Sequence, residues 1–302
     1  MTRAIHFSLT YWTSTTNGGV FVRICPTYLS RHSDELSWSV ARESHAQLSN
    51  YTATFRQWGD GPPLVLIPGM AGGIDLVAPL AELLARRFRV IAYQLRGEED
   101  CFALRRRFGV ADLARDLAEF IEWQGLERPQ VLGVSFGGVV GLEYAARYPN
   151  RLAGLCVQGV GARLESNLVK LIAGMVLSGY PLPADNPFVN QFFRLLFGRK
   201  PQSGALLDFV VRHCWQTDQS VMTHRFRLVR RHDLRPRLSR VQTPVLVMSA
   251  PRDVFVSDAS LLELCGGLED TRFVRLQRGG HLAFLVEAER VAREVMDFCD
   301  ES

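Results

Sequence analysis

Short apolar runs and longer amphipathic stretches take turns along most of this chain. Leu64-Val65-Leu66-Ile67 is a run of four apolar residues broken by Pro68-Gly69. A run of that length closed by turn residues predicts a buried strand. Asp75 to Arg86 follows, with Leu76, Leu80, Leu83 and Leu84 at helical spacing. Arg89 to Tyr93 is the next strand, and Gly109 to Trp123 is a helix with Leu113, Leu117, Phe120 and Ile121 on one stripe. Val131 to Val134 (strand), Phe136 to Tyr148 (helix) and Leu152 to Val157 (strand) continue the alternation. The segment Thr52 to Trp58 alternates loosely and reads as an earlier strand, closed by the turn Asp60-Gly61. Strand–helix alternation builds a mostly parallel sheet with helices on both faces, an α/β fold.

Between 161 and 240 the alternation stops. Helical stripes succeed one another at Leu168–Leu177, Pro187–Phe197, Ala205–Trp215 and Val221–Arg231, with Pro201 and Pro236 as breaks. This predicts an inserted helical lid. Pro244 to Met248 and Thr271 to Leu276 then restore strands, and Leu282 to Cys299 closes the chain as a helix. The domain reading is an N-terminal extension over 1–48, partly disordered or ordered, an α/β core over 49–160 and 241–302, and the lid over 161–240.

Composition narrows the class without naming it. Apolar residues make up 47% and charged residues 22% of 302, which suits a globular chain with a substantial core. The net charge of +4 does not point to nucleic acid. Basic residues bunch between Arg225 and Arg240; a solvated helix face explains them better than a groove for an acidic ligand. Cys25, Cys101, Cys156, Cys214, Cys265 and Cys299 form no C-x-x-C pair, and no Cys/His spacing suits zinc. Free thiols in a reducing compartment are expected. No apolar block suits a signal peptide or a membrane span, so the expected place is the cytoplasm.

The strongest chemical signal is Gly133-Val134-Ser135-Phe136-Gly137, a G-x-S-x-G where a strand ends and a helix begins. Such a turn is too tight for bulky residues two before or two after the serine. Ser135 is thereby lifted clear of the sheet beside a helix N-terminus, which favours negative charge.

With these motifs the chain resembles the α/β-hydrolase superfamily, in particular its lid-containing serine hydrolases, from about Tyr51 to Phe298. The resemblance implies a nucleophile, an acid and a base in that chain order. Ser135 matches the nucleophile. His281, in Arg278-Gly279-Gly280-His281, follows the last strand and matches the base. Asp253 follows the Val245–Met248 strand and matches the acid, while Asp258 reads as a helix-start residue. The oxyanion hole would use the backbone N–H groups of Phe136 and Met70. Pro68-Gly69 stands where many members have His-Gly, and Gln94-Leu95-Arg96-Gly97 where many have Asp-x-Arg-Gly. Arg96 is expected to brace loops near the site.

Phe188, Phe192, Phe193, Leu195, Leu196 and Phe197 make the lid apolar. A lid of that kind over the sheet's carboxyl edge implies a small to medium apolar substrate, a small molecule; docking of that face on a membrane or a partner is the alternative. The expected activity is cleavage of an ester-type acyl bond through an acyl-enzyme on Ser135, with no cofactor and no metal. Carbon–carbon bond hydrolysis, acyl transfer, lactone opening and cofactor-free peroxidation remain open on the same residues, as does a non-catalytic ligand-binding receptor. Gly69-Met70-Ala71-Gly72-Gly73 lacks the G-x-G-x-x-G spacing of a dinucleotide site.

Overall fold

Eight strands form one sheet in the order β1-β2-β4-β3-β5-β6-β7-β8. The computed structural model describes residues 41–98, 106–165, 171, 174, 187–198 and 203–301. The strands are β1 (Arg42–Gln47), β2 (Thr52–Trp58), β3 (Pro63–Ile67), β4 (Arg89–Tyr93), β5 (Gln130–Val134), β6 (Gly154–Gln158), β7 (Val245–Ser249) and β8 (Thr271–Arg275). β1 and β2 run antiparallel, as do β2 and β4, and every other pairing is parallel. The apolar runs behave as their lack of alternation requires: β6 and β7 are buried at every position, because helices cover both faces of the parallel part.

The sheet begins earlier than the pattern indicates. β1 lies within the segment expected to extend beyond the core. Its sequence, Arg-Glu-Ser-His-Ala-Gln, buries only Ala46, so an edge strand with two wet faces leaves no apolar alternation to read. Residues 1–40, including His6, Cys25 and His32, lie outside the described residues, as does Cys101.

The crossover helices are α1 (Gly73–Leu84), α2 (Val110–Trp123) and α3 (Phe136–Arg147). One core layer joins α2 and α3 to the sheet through Leu113, Leu117, Phe120, Leu142 and Tyr144. The other joins α1 to the C-terminal helix through Leu80, Leu84, Val291 and Val295. α3 buries every residue except Arg147, as befits the helix behind the sheet's centre.

Between β6 and β7 the described residues form α4 (Pro187–Leu196), α5 (Gly204–Cys214), α6 (Gln219–Arg231) and a 3-10 turn (Arg235–Arg240). Ser203 and Asp218 start α5 and α6 by accepting the N–H groups of Leu206 (3.2 Å) and Ser220 (2.8 Å). The expected Leu168–Leu177 helix falls largely outside the described residues; Leu171 and Gly174 are helical. After β7 comes α7 (Asp258–Gly267). The expected closing helix is broken in the structure into a 3-10 turn (Gly280–Leu282), α8 (Ala283–Val286) and α9 (Ala288–Glu301). Glu287 sits at the break with non-helical φ −120° and ψ 36°.

Candidate active site

Because β3, β5, β7 and β8 are parallel, their C-terminal ends share one edge. Met70, Ser135, Asp253 and His281 all follow those ends.

Ser135 occupies the β5–α3 turn at φ 51° and ψ −114°, a strained conformation for a residue with a side chain. Its neighbours leave no room to relax. A Cβ on Gly137 would stand 2.2 Å from the Ile67 carbonyl oxygen, and one on Gly133 would stand 2.5 Å from the Gly138 Cα. The Ser135 N–H donates to the Gln158 carbonyl at 2.8 Å, tying the turn to β6.

His281 Nε2 lies 2.7 Å from Ser135 Oγ, and Nδ1 lies 2.9 and 3.0 Å from the two oxygens of Asp253. An ionised carboxylate only accepts, so Nδ1 carries the proton and Nε2 is left to accept from the Ser135 hydroxyl. His281 is 7% exposed. The Phe255 ring covers the imidazole at 4.8 Å between centroids. Asp253 Oδ1 also accepts the N–H groups of Phe255 and Val256 at 2.8 and 3.2 Å. Burial pushes this carboxyl upward, but the His281 imidazole and the two backbone donors outweigh it and hold the group below its usual value of 3.8. Asp253 is therefore an anion throughout the neutral range. Asp258 stands at the start of α7, exposed and paired with Arg275 at 2.8 Å.

The loop bearing His281 needs Gly280, whose φ is +54° and whose Cβ would lie 2.6 Å from the Gly198 nitrogen. Glu287 holds the strand-side end of that loop. One of its oxygens accepts the N–H groups of Gln277 at 2.8 Å and Arg278 at 2.5 Å. Nothing in the local pattern distinguishes Glu287 from an ordinary helical glutamate; its signal is the interruption of α8 and α9.

Met70 and Phe136 line the same cavity as Ser135 and His281. The rest of its wall is mainly apolar and includes Val160, Phe226, Val229, Leu234 and Val256. Phe136 opens α3, where an N–H has no intrahelical acceptor. Gly69 runs against the serine turn: a Cβ added to it would stand 3.8 Å from Ser135 Cβ. Arg96, expected to brace loops near the site, forks onto the fully buried Asp116 of α2 through Nε (2.9 Å) and Nη2 and lies 5.8 Å over the Tyr51 ring.

Arg225 departs from the sequence reading. It belongs to the basic run expected on a solvated face, yet it is 0% exposed. Arginine is that fully buried only with partners, and here they are Glu98 and three backbone carbonyls.

Among the described residues no group of three His, Cys, Asp or Glu side chains is placed to hold a metal ion, and no helix is long and apolar enough to cross a membrane. Cys156, Cys214, Cys265 and Cys299 are free thiols.

The family model of the alpha/beta hydrolase fold matches residues 62–288, three quarters of the chain and every residue of the site. The chain belongs to the α/β-hydrolase family. This α/β hydrolase is 27% identical over 251 residues to a protein of Azorhizobium caulinodans provisionally named carbamate hydrolase RutD, covering 80% of this chain and 93% of that one. It is 25% identical over 247 residues to the protein of that name from Escherichia coli O44:H18, covering 77% and 87%. Its fold is also that of the enol-lactonase of Burkholderia xenovorans LB400 (TM-score 0.71, 21% identity, 85% of this chain and 100% of that one). The esterase EaEST of Exiguobacterium antarcticum is similar as well (TM-score 0.73, 17% identity, 86% and 100%).

Proposed function

We propose that this α/β hydrolase cleaves an ester-type acyl bond of a small to medium apolar substrate through an acyl-enzyme on Ser135. The observation that carries the reading is the unbroken relay from Asp253 through His281 to the Ser135 hydroxyl, at 2.9 and 2.7 Å. A serine hydroxyl is a weak nucleophile until a base takes its proton. As Ser135 Oγ bonds to the substrate carbonyl carbon, its proton passes to His281 Nε2 and the carbonyl π electrons move onto oxygen. Asp253 fixes the tautomer and stabilises the imidazolium so formed. The backbone N–H groups of Met70 and Phe136 are assigned to the oxygen anion. Collapse of the intermediate expels the alcohol, which takes the proton from His281. Water, deprotonated by the same nitrogen, then attacks the acyl carbon; the bond to Ser135 Oγ breaks, that oxygen takes the proton back from His281, and the acid is released.

The helical insertion acts as a lid in this scheme. Phe226 and Val229 of α6 line the cavity, so the insertion supplies part of the wall that meets the acyl or alcohol group. A carbamate or a lactone presents the same carbonyl to the same attack. The names of the relatives are a reason to assay both beside simple esters.

A fluorophosphonate probe tests the assignment. Labelling of the wild type that vanishes in Ser135→Ala and is suppressed in His281→Ala supports it; an unlabelled wild type favours the receptor reading. A p-nitrophenyl ester series then tests the apolar substrate, and a clear preference for acetate over longer chains would count against it.

A further inference from the structure

We propose that Arg225, a side chain of the helical insertion, is the positioning residue of the oxyanion loop, so that the insertion sets the rate of the chemical step as well as enclosing substrate. The proposal rests on the acyl-transfer reading of Ser135 and deepens it.

The β3–α1 loop, Pro68 to Gly72, has to hold one donor N–H at a fixed place against the serine turn. Nothing in its sequence does so: its glycines make it permissive, and it lacks the histidine that braces this loop in many relatives. The bracing comes instead from 155 residues away. Arg225 Nη1 donates to the Met70 carbonyl at 3.0 Å. Pinning that carbonyl holds the peptide plane after the Met70 Cα, and so restricts how far the preceding plane, which carries the Met70 N–H, can turn.

The guanidinium is itself immobilised. Nη1 also donates to Glu98 Oε1 at 2.6 Å, and Nη2 donates to the carbonyls of Leu95 and Arg96 at 3.2 and 3.0 Å. Its carbon lies 5.7 Å from the centre of the Phe136 ring. One cation thus touches both residues assigned as oxyanion donors, Met70 through its carbonyl and Phe136 through its ring. A second tie runs in parallel: the Gly72 N–H donates to Thr217 Oγ1 at 2.9 Å, and the Thr217 hydroxyl lies 3.5 Å from Glu98 Oε1. The planar fork of arginine suits four divergent acceptors, whereas an ammonium is a point charge on a flexible stem. The contacts also fix the role as positioning: the side chain is 0% exposed, and both terminal nitrogens are spent on Glu98 and three backbone carbonyls.

Removing Arg225 alone leaves Glu98 buried without its countercharge, which destabilises the fold for a reason unrelated to the reaction. The informative variant is therefore Arg225→Met combined with Glu98→Gln, with Arg225→Lys beside it. Both are assayed on a p-nitrophenyl ester in the full-length protein, with kcat expressed per active site titrated to completion with a fluorophosphonate. Binding of a trifluoromethyl ketone, which forms the tetrahedral adduct on Ser135, is measured alongside. A misaimed donor is expected to lower kcat about 100-fold in the double variant and about 10-fold in Arg225→Lys, with KM nearly unchanged. Ketone affinity should fall in parallel with kcat/KM. A kcat per site within about 3-fold of wild type in both variants, whatever the change in Tm, overturns the proposal, as does a loss confined to KM. Should the double variant yield no folded protein, Arg225→Lys decides by the same criteria. A wild type without Ser135-dependent turnover fails the acyl-transfer reading itself and takes the proposal with it, whereas Ser135-dependent turnover that ignores Arg225 fails the proposal alone.

Discussion

The turn that presents Ser135 and the loop that carries Met70 lie side by side at one sheet edge, and they are held in opposite ways. The serine turn is rigid from within. Gly133 and Gly137 pack so closely on Gly138 and Ile67 that the backbone has no other course, and the Ser135 N–H is tied to the adjoining strand β6. The Met70 loop is held from outside, by Arg225 and Thr217 of the helical insertion. A turn held by backbone sterics survives loss of its functional side chain. A loop held by distant side chains depends on a second part of the molecule staying folded.

Ser135→Ala should show the first half of that contrast most strongly. The rate is expected to fall by about 10⁵- to 10⁶-fold while the denaturation midpoint barely moves, because the strained turn is enforced by its neighbours. A large loss of stability would mean that the hydroxyl, and not the packing, holds the turn. Asp253→Asn comes next, with a loss of about 10⁴-fold in kcat, since the amide no longer enforces the imidazole tautomer. The same variant should alter acid unfolding. The native carboxyl lies below its usual 3.8, so its contribution to stability is complete above that value and is lost as pH falls through the lower native one. Without it the unfolding free energy should fall less steeply below about pH 4.

Gly137→Ala attacks the turn directly. A methyl group 2.2 Å from a backbone oxygen forces β3 and α3 apart, at an expected cost of about 3 kcal/mol or more in denaturant unfolding. Retention of wild-type stability would show that the turn is less constrained than its contacts indicate. The smallest effect is expected of Thr217→Val, which removes the acceptor of the Gly72 N–H and should lower stability by about 1–2 kcal/mol. Its rate should drop less than that of the Arg225 variants, because Gly72 lies two residues beyond Met70, the donor proposed above.

Much of the site was legible in the chain. Gly133, Ser135 and Gly137 announce the tight turn, and Asp253 and His281 each follow a strand in the order the resemblance implies. The structure brings their side chains within hydrogen-bonding distance. Three features were not legible. β1 has the composition of a wet edge and carries no period. Glu287 looks like any helical glutamate until its carboxylate is found capping the N–H groups of Gln277 and Arg278. Arg225 sits in a run of arginines whose other members gave no reason to single it out.

Local rules decided what a local reading could reach. Apolar periodicity, glycines flanking a serine and residues at strand ends depend on neighbours a few positions away, so sequence alone determined the alternating fold and the inserted helices, while the order of Ser135, Asp253 and His281 came from the family resemblance. The burial of Arg225 against Glu98, the anchoring of Met70 across 155 residues and the place of β1 at the sheet edge depend on which surfaces meet after the chain has closed. Only tertiary structure decides that, because a buried charge is tolerable solely where distant groups arrive to pair with it.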